Sequence, residues 1–299
     1  MKILLYILLY FIAIIPFPFV YLFSELISFF VNKIFKYRKS VILENLKTSF
    51  PKKSEKEINN IKNKFYRHYS KVLIETIKLL VVGKRTLDRK IKFENDKAFK
   101  YLLNEKKGAI ILSGHLGNFE MGGQHFVTQL KLPIYTSYKK ISSDAWENIM
   151  MIQRSRFGSK MVQNKQVVRT IFKNVNKGLY VVFLNDQSPT YGDDVYWTKF
   201  FNKETMFFAA PEKIAKKFDL PVYFLDMWRE KYGKYKIKAE LISDNPKKTA
   251  ENEITERYVR KLEQAIKRHP EAWLWSHKRW KRNKEDYLKV RAKEKSKKK

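Results

Sequence analysis

Ala109-Ile110-Ile111-Leu112-Ser113-Gly114-His115-Leu116-Gly117-Asn118-Phe119-Glu120 reads as a strand, a tight turn and the opening of a helix. The apolar run Ala109–Leu112 is followed at once by Gly114 and Gly117, which supply the backbone freedom a turn needs. A helical pattern then runs from Phe119 to Leu130. On one regular helix, residues five apart point about 140° away from each other. With His115 in the turn and Glu120 in the first turns of the helix, the two side chains can converge instead. Imidazole takes and returns a proton near neutral pH, and a carboxylate beside it fixes the tautomer and stabilises the imidazolium. His115 and Glu120 are therefore the candidate catalytic pair.

The alternation of strand and helix continues outward from this stretch. Pro133–Tyr138, Leu179–Leu184, Val222–Met227 and Tyr235–Leu241 read as further strands. Ala145–Arg156, Gln166–Asn176, Ala209–Phe218 and Glu253–Lys267 read as helices between and after them. The pattern predicts an α/β fold: a layered, mixed or mostly parallel sheet flanked by helices. Sites in such sheets lie beyond the carboxyl ends of the strands. His115 is placed there, and Asp186 and Gln187, at the exit of another strand, can border the same cleft or hold the turn by hydrogen bonds. Upstream, Val41–Val82 has a helical pattern interrupted by Pro51, and Ser54 with Glu57 has the spacing of a capping box.

Composition narrows the class of partner. The chain has 299 residues, no cysteine and a formal net charge of +32. It can hold no disulfide, no thiolate metal site and no cysteine nucleophile. The charge calls for an anionic partner, and nucleic acid, lipid headgroups, phosphorylated sugars and acidic carrier proteins all qualify. An aromatic content of 15% argues against a disordered basic chain. The stretch Ile3–Phe23 is 21 residues without a charge, enough to span a bilayer, although Pro16 and Pro18 would kink it and leave an interfacial arrangement open. It is long for the apolar part of a cleaved signal peptide, and no small-residue cleavage site follows. Lys33, Lys36, Arg38 and Lys39 after it place the bulk of the chain on the cytoplasmic side. Leu26–Phe35 is too short to span. The expected organisation is a membrane anchor over 1–30, a catalytic domain over 31–285 and a basic, solvated tail over 286–299. From Lys278 to Lys299 there are twelve basic residues against three acidic ones.

Other residues add binding chemistry. Arg154 and Arg156 are two apart with Gly158 beyond them. Guanidinium groups take phosphates and carboxylates bidentately, so the pair suits a phosphorylated substrate, with a surface salt bridge as the plain alternative. The backbone N–H groups around Gly117 and Asn118, at a helix start, can serve a developing oxyanion. His277 lies in a tryptophan-rich stretch and reads as packed. His125 does not complete a His-Glu-x-x-His pattern with its neighbours, so no metal site is expected. The clusters around Phe200 and Trp273 read mostly as core.

Several segments, in order, carry a family resemblance. His, four residues and an acidic residue form the signature of the glycerolipid and lysophospholipid acyltransferase superfamily, and GHLGNFE is similar to its lipid A biosynthesis (late) acyltransferase branch. Tyr37-Arg38-Lys39, Asn45-Leu46 and Phe50-Pro51 resemble that branch near the membrane. Tyr138-Lys139-Lys140 stands where the family has Tyr-Arg-Pro. Arg154-Ser155-Arg156-Phe157-Gly158 resembles Arg-x-Arg-x-Gly, and Asp186-Gln187 matches a family pair. Phe200-Phe201 to Pro211 is similar to a Phe-Phe-Gly segment, with Asn202 in place of the glycine. His269-Pro270-Glu271 through His277-Lys278-Arg279-Trp280 resembles the closing motif. The resemblance implies a membrane-bound enzyme that moves a fatty acyl chain from acyl-carrier protein to a hydroxyl of an anionic lipid A precursor, at the cytoplasmic face of the inner membrane. A thioester is already activated, so no cofactor and no covalent intermediate are called for. His115 would be the base with Glu120 beside it, and Gly117, Asn118, Arg154, Arg156, Asp186 and Gln187 would bind substrate. A lysophospholipid or amino-acid-headgroup acceptor is the alternative. A basic, membrane-tethered binding protein is a more distant one, since it leaves the strand–His115–Glu120–helix order unexplained.

Overall fold

The computed structural model describes residues 2–94 and 97–296. Two apolar helices open the chain, α1 (Lys2–Ile14) and α2 (Phe17–Phe29), and α2 runs on through a π-helical stretch to Ile34. The uncharged run is broken at Ile15-Pro16, because proline has no N–H to carry a helix through. The second apolar stretch is the continuation of α2. Among the described residues, Phe17–Ile34 is the one helix that is long and apolar enough to cross a membrane, judged by length and composition. After it come α3 (Lys39–Ser49) and α4 (Glu55–Lys78), parted at Pro51. The capping box is formed: the Glu57 N–H donates to Ser54 Oγ at 3.3 Å and the Ser54 N–H to Glu57 Oε2 at 2.8 Å.

Both apolar helices rest on α4. Lys78 donates to the Ala13 carbonyl at 2.7 Å, and Tyr21 donates to Glu75 at 2.9 Å. Glu25 pairs with Lys71 at 2.6 Å. Their other face, with Phe11, Ile14, Phe19, Leu22 and Phe23, is exposed.

The α/β core follows α5 (Lys84–Lys90), β1 (Ile91–Phe93) and α6 (Lys97–Asn104). It comprises β2 (Gly108–Ser113), α7 (Phe119–Gln129), β3 (Ile134–Tyr138), α8 (Asp144–Ser155), β4 (Lys160–Gln163), α9 (Val167–Asn174) and β5 (Leu179–Leu184). A hairpin, β6 (Val195–Phe200) and β7 (Lys203–Phe208), leads to α10 (Ala210–Phe218), β8 (Val222–Arg229), β9 (Tyr235–Ser243), α11 (Glu253–Arg268) and α12 (Lys284–Ser296). The strands and helices expected from Ala109 onward are present, with ends shifted by two residues at most. The short β1 and β4, of three and four residues, are too brief for periodicity to reveal. The hairpin turns through Phe201 and Asn202, both at positive φ, so Asn202 does the backbone work of the glycine it replaces. The stretch expected to be a solvated tail is helical to Ser296 as part of α12. Residues 297–299 of that expectation lie outside the described residues.

Seven strands form the main sheet in the order β1-β9-β8-β2-β5-β3-β4. All neighbours are parallel except β8 and β9. β2 lies between β8 and β5 and is buried on both faces. Ala109 and Ile111 pack into one layer with Met121 and Phe126 of α7. Ile110 and Leu112 pack into the other with Tyr258 and Leu262 of α11. A buried isoleucine or leucine contributes about 1.5–3 kcal/mol, so the strand that delivers His115 is among the most firmly held in the chain. β2 leads to β3 on one side of the sheet and β5 leads to β8 on the other, which opens a crevice beyond their carboxyl ends.

Candidate active site

Parallel pairing sets the site. Ser113 at the end of β2 lies opposite Leu184 at the end of β5, so the two exit turns run side by side. His115 comes from the first and Asp186 from the second. His115 Nδ1 is 2.7 Å from Asp186 Oδ1, and the His115 backbone N–H donates to Asp186 Oδ2 at 2.9 Å. The Trp273 indole donates to the same Oδ2 at 2.7 Å. A side chain at Gly114 would meet Leu262 at 2.8 Å and Asp186 at 3.4 Å, so only glycine lets the turns approach. Tyr258 donates to the Ser113 carbonyl at 2.9 Å and holds the strand end.

Asp186 is only 2% exposed. Burial alone would raise its pKa. The His115 imidazole beside it and the three N–H donors outweigh burial and hold the carboxyl well below the usual carboxylate range. The ionised group accepts from Nδ1–H, which leaves His115 Nε2 as the free base position. Gln187 Nε2 lies 3.2 Å from that nitrogen, and the Phe119 ring stands edge-on to the imidazole with centroids 4.6 Å apart. The His115 side chain is 14% exposed, within reach of a substrate hydroxyl.

The expected partnership of His115 with Glu120 is not what the structure holds. Glu120, 8% exposed, faces Arg154, which donates to it through Nε at 3.1 Å and through Nη2. Glu120 lies in the first turn of α7, beyond the turn that aims His115 at β5. Arg154 is accordingly committed to a buried ion pair rather than open to a phosphate. Its neighbour in sequence, Arg156, donates through Nη1 to the carbonyls of Leu79 and Val82, where α4 ends. Those carbonyls have no helical partner of their own, so Arg156 serves as a helix cap.

Gly117 and Asn118 are likewise occupied. The Gly117 N–H donates to the Ala272 carbonyl at 3.0 Å, and its own carbonyl faces His68 Nε2 at 3.1 Å. With φ at +58° and the Met227 carbonyl 2.9 Å from where a Cβ would stand, this position needs glycine. Asn118 caps α7 by accepting from the Met121 N–H at 3.0 Å, and donates to Glu75 at 2.9 Å. The Gly117 N–H is taken by the Ala272 carbonyl and is not an open oxyanion donor, and the Asn118 side chain braces the His115 turn.

That bracing extends to Glu75, which no sequence signal singled out, and to His277 and Arg279 of the closing motif. Glu75, fully buried on α4, accepts from Asn118, Tyr21, Tyr235 and Arg229. His277 accepts from the Ser188 N–H at 3.1 Å and steadies the turn carrying Asp186 and Gln187. Burial pushes its pKa down to about 4, which keeps it a neutral acceptor. Arg279 is buried as well, donates to the Met206 carbonyl and stacks over Phe207. Burial pushes its pKa down to about 10 against the pull of the Asp186 charge. Among the described residues no group of three or more His, Asp or Glu is placed to hold a metal ion. His125 lies apart from the site, against Phe93 and Asp88.

The sequence of motifs around this site has counterparts among known proteins. A Haemophilus influenzae protein named lipid A biosynthesis acyltransferase is similar to the chain, with 22% identity over 237 residues that cover 77% of this chain and 72% of that protein. The family model for bacterial lipid A biosynthesis acyltransferase matches residues 1–282. That match takes in α1 and α2, the His115 and Asp186 turns and the closing tryptophan-rich segment, and the chain belongs to the bacterial lipid A biosynthesis acyltransferase family.

Proposed function

We propose that the protein transfers a fatty acyl chain from the thioester of an acyl-carrier protein to a hydroxyl of a lipid A precursor, with His115 Nε2 as general base and Asp186 as the carboxylate that orients it. The observation that carries this reading is the 2.7 Å contact between His115 Nδ1 and Asp186 Oδ1 at adjoining strand exits. Nε2 takes the proton of the acceptor hydroxyl as its oxygen attacks the thioester carbonyl. A tetrahedral oxyanion forms, the C–S bond breaks, and the imidazolium returns the proton to the departing thiolate. Asp186 stabilises the imidazolium between those events. The Gln187 amide must leave Nε2 to admit the hydroxyl, and it then stands as a donor beside the reacting carbonyl. Glu120 and Arg154 support the turn from below as an ion pair.

The exposed apolar face of α1 and α2 supports a membrane location, and Lys33, Lys36, Arg38 and Lys39 after the apolar stretch support its cytoplasmic side. At 1.5 Å per residue, α1 spans about 20 Å, short of a bilayer core of about 30 Å. α2 is tied to the charged helix α4 through Tyr21 and Glu25. Both features favour helices lying in one leaflet, with the site held at the headgroup level.

The test is acyl transfer by purified protein to lipid A precursor and to a lysophospholipid in parallel, with acyl-carrier protein or coenzyme A thioesters as donor. The reading expects lipid A precursor and the carrier-protein donor to be preferred, and His115→Ala to lose roughly 10²- to 10⁴-fold in rate. Preference for the lysophospholipid would move the acceptor to another class. A His115→Ala variant with more than half the wild-type rate would remove His115 from the chemistry.

A further inference from the structure

The turn that carries His115 is gripped from α4, the helix on which the two apolar helices rest. His68 and Glu75 lie seven residues apart on α4, so their side chains leave it within about 20° of one another. Both are buried, and they reach consecutive residues of the turn. His68 Nε2 stands 3.1 Å from the Gly117 carbonyl. Burial pushes the His68 pKa down to about 4, which keeps the ring neutral. A carbonyl only accepts, so the single ring proton sits on Nε2 and is donated to Gly117. Glu75 Oε2 accepts from Asn118 Nδ2 at 2.9 Å.

Gly114 and Gly117 give this turn little stiffness of its own. Asp186 fixes it at His115, and His68 and Glu75 fix it two and three residues further on. The Glu75 carboxylate also reaches the other way. Its Oε1 accepts from Tyr21 of α2 at 2.9 Å, and the Tyr21 hydroxyl accepts in turn from Lys90 at 3.0 Å. A side chain at Gly233, where φ is +68°, would overlap the Tyr21 hydroxyl, so the β8–β9 connection is shaped to admit that ring. Arg229 of β8 neutralises the buried carboxylate, and Tyr235 of β9 donates to it at 2.6 Å. One buried group thus joins the apolar helix α2 to the cap of α7, three residues from the base.

We propose that His68 and Glu75 are positioning residues for the reaction at His115, and that Tyr21 of α2 belongs to the same support through Glu75. The proposal rests on the acyl-transfer reading of His115. Both residues act through the backbone and cap of the turn, and a displacement of the base by about 1 Å can cost about a hundredfold in rate.

The test is steady-state kinetics of full-length His68→Leu, His68→Gln and Asn118→Ser, with urea denaturation to fix the folded fraction and nitrogen NMR of the His115 imidazole. Leucine cannot donate to the Gly117 carbonyl, whereas the glutamine amide can. Serine still caps a helix but lacks the amide that meets Glu75. His68→Leu and Asn118→Ser should lose roughly tenfold to hundredfold in kcat per folded molecule, with KM little changed and the His115 resonances displaced. His68→Gln should recover most of the rate. Unchanged kcat per folded molecule, a loss confined to KM, or a His68→Gln variant as slow as His68→Leu would overturn the proposal. Tyr21→Phe combined with Asn118→Ser should lose less than the product of the single losses, because both act on Glu75; independent losses would remove α2 from the support. The NMR readout does not depend on the reaction. Displaced resonances in a protein without acyl transfer activity would retain the positioning role and discard the chemistry assigned to His115, and undisplaced resonances would discard the positioning role.

Discussion

Asp186→Asn is the substitution that separates the observed partner of His115 from the one its spacing suggests. Three donors converge on the carboxylate: the His115 and Trp273 N–H groups on Oδ2, and His115 Nδ1 on Oδ1. Asparagine has one oxygen for these two positions. Two fixed donors claim the Oδ2 position, so the amide NH2 is turned toward Nδ1. Two donors cannot face each other, and the imidazole proton moves to Nε2, where the base must be free. Turning the amide the other way leaves two buried N–H groups unpaired, at about 1–3 kcal/mol each. Even a 2 kcal/mol preference keeps only roughly 3% of the imidazole in the productive tautomer. Loss of the charge that stabilises imidazolium takes the expected fall in rate to about 10³–10⁴-fold. The assay is initial rate on lipid A precursor, with thermal denaturation alongside, because buried Arg279 also feels the Asp186 charge. Nitrogen NMR of the imidazole reports the tautomer. A folded variant with more than a tenth of the wild-type rate, or a large fall in rate with Nε2 still unprotonated, would refute the reasoning.

The remaining expectations concern the supports of the site. Arg154→Ala leaves the buried Glu120 carboxylate without its cation and should cost roughly 3–5 kcal/mol in urea denaturation; adding Glu120→Gln should restore part of it, and a KM effect without loss of stability would return Arg154 to substrate binding. Tyr21→Phe removes a donor from buried Glu75 and should cost about 1–3 kcal/mol. Deletion of residues 1–30 should then impair activity in detergent as well as in vesicles, and full activity in detergent would show a simple tether. Burial pushes His68, His125 and His277 down to about 4, whereas unfolded imidazole titrates near 6.5. Between those values the unfolded chain binds protons that the folded one refuses. Stability should therefore fall as pH drops through that window, by about 1.4 kcal/mol per pH unit for each histidine, and level off below it. A denaturation midpoint constant from pH 7 to pH 4.5 would contradict this.

Much of the architecture was open to reading along the chain. Strands β2, β3, β5, β8 and β9 and helices α7 to α11 announce themselves because burial of one face or two imposes a local period, whereas β4 and the β6–β7 hairpin do not, and Ser54 with Glu57 forms a cap from neighbours three residues apart. His115 stands out for the same reason, as a titratable group at a strand exit between glycines. Its partner does not. Glu120 is five residues away and Asp186 is seventy-one, yet the β2–β5 register brings the distant one to 2.7 Å. Helix α7 sends the near one to Arg154. The fates of Arg154, Arg156, Gly117 and Asn118 follow likewise from what the fold brings beside them: a carboxylate, a helix end, a carbonyl and Glu75. Local sequence records the dihedral preferences and the periodic burial of its own residues, and these sufficed for most of the elements, the fold class and the candidate base. Which charged group neutralises which is a matter of through-space distance between segments remote in sequence, and that is fixed once the sheet has closed its register.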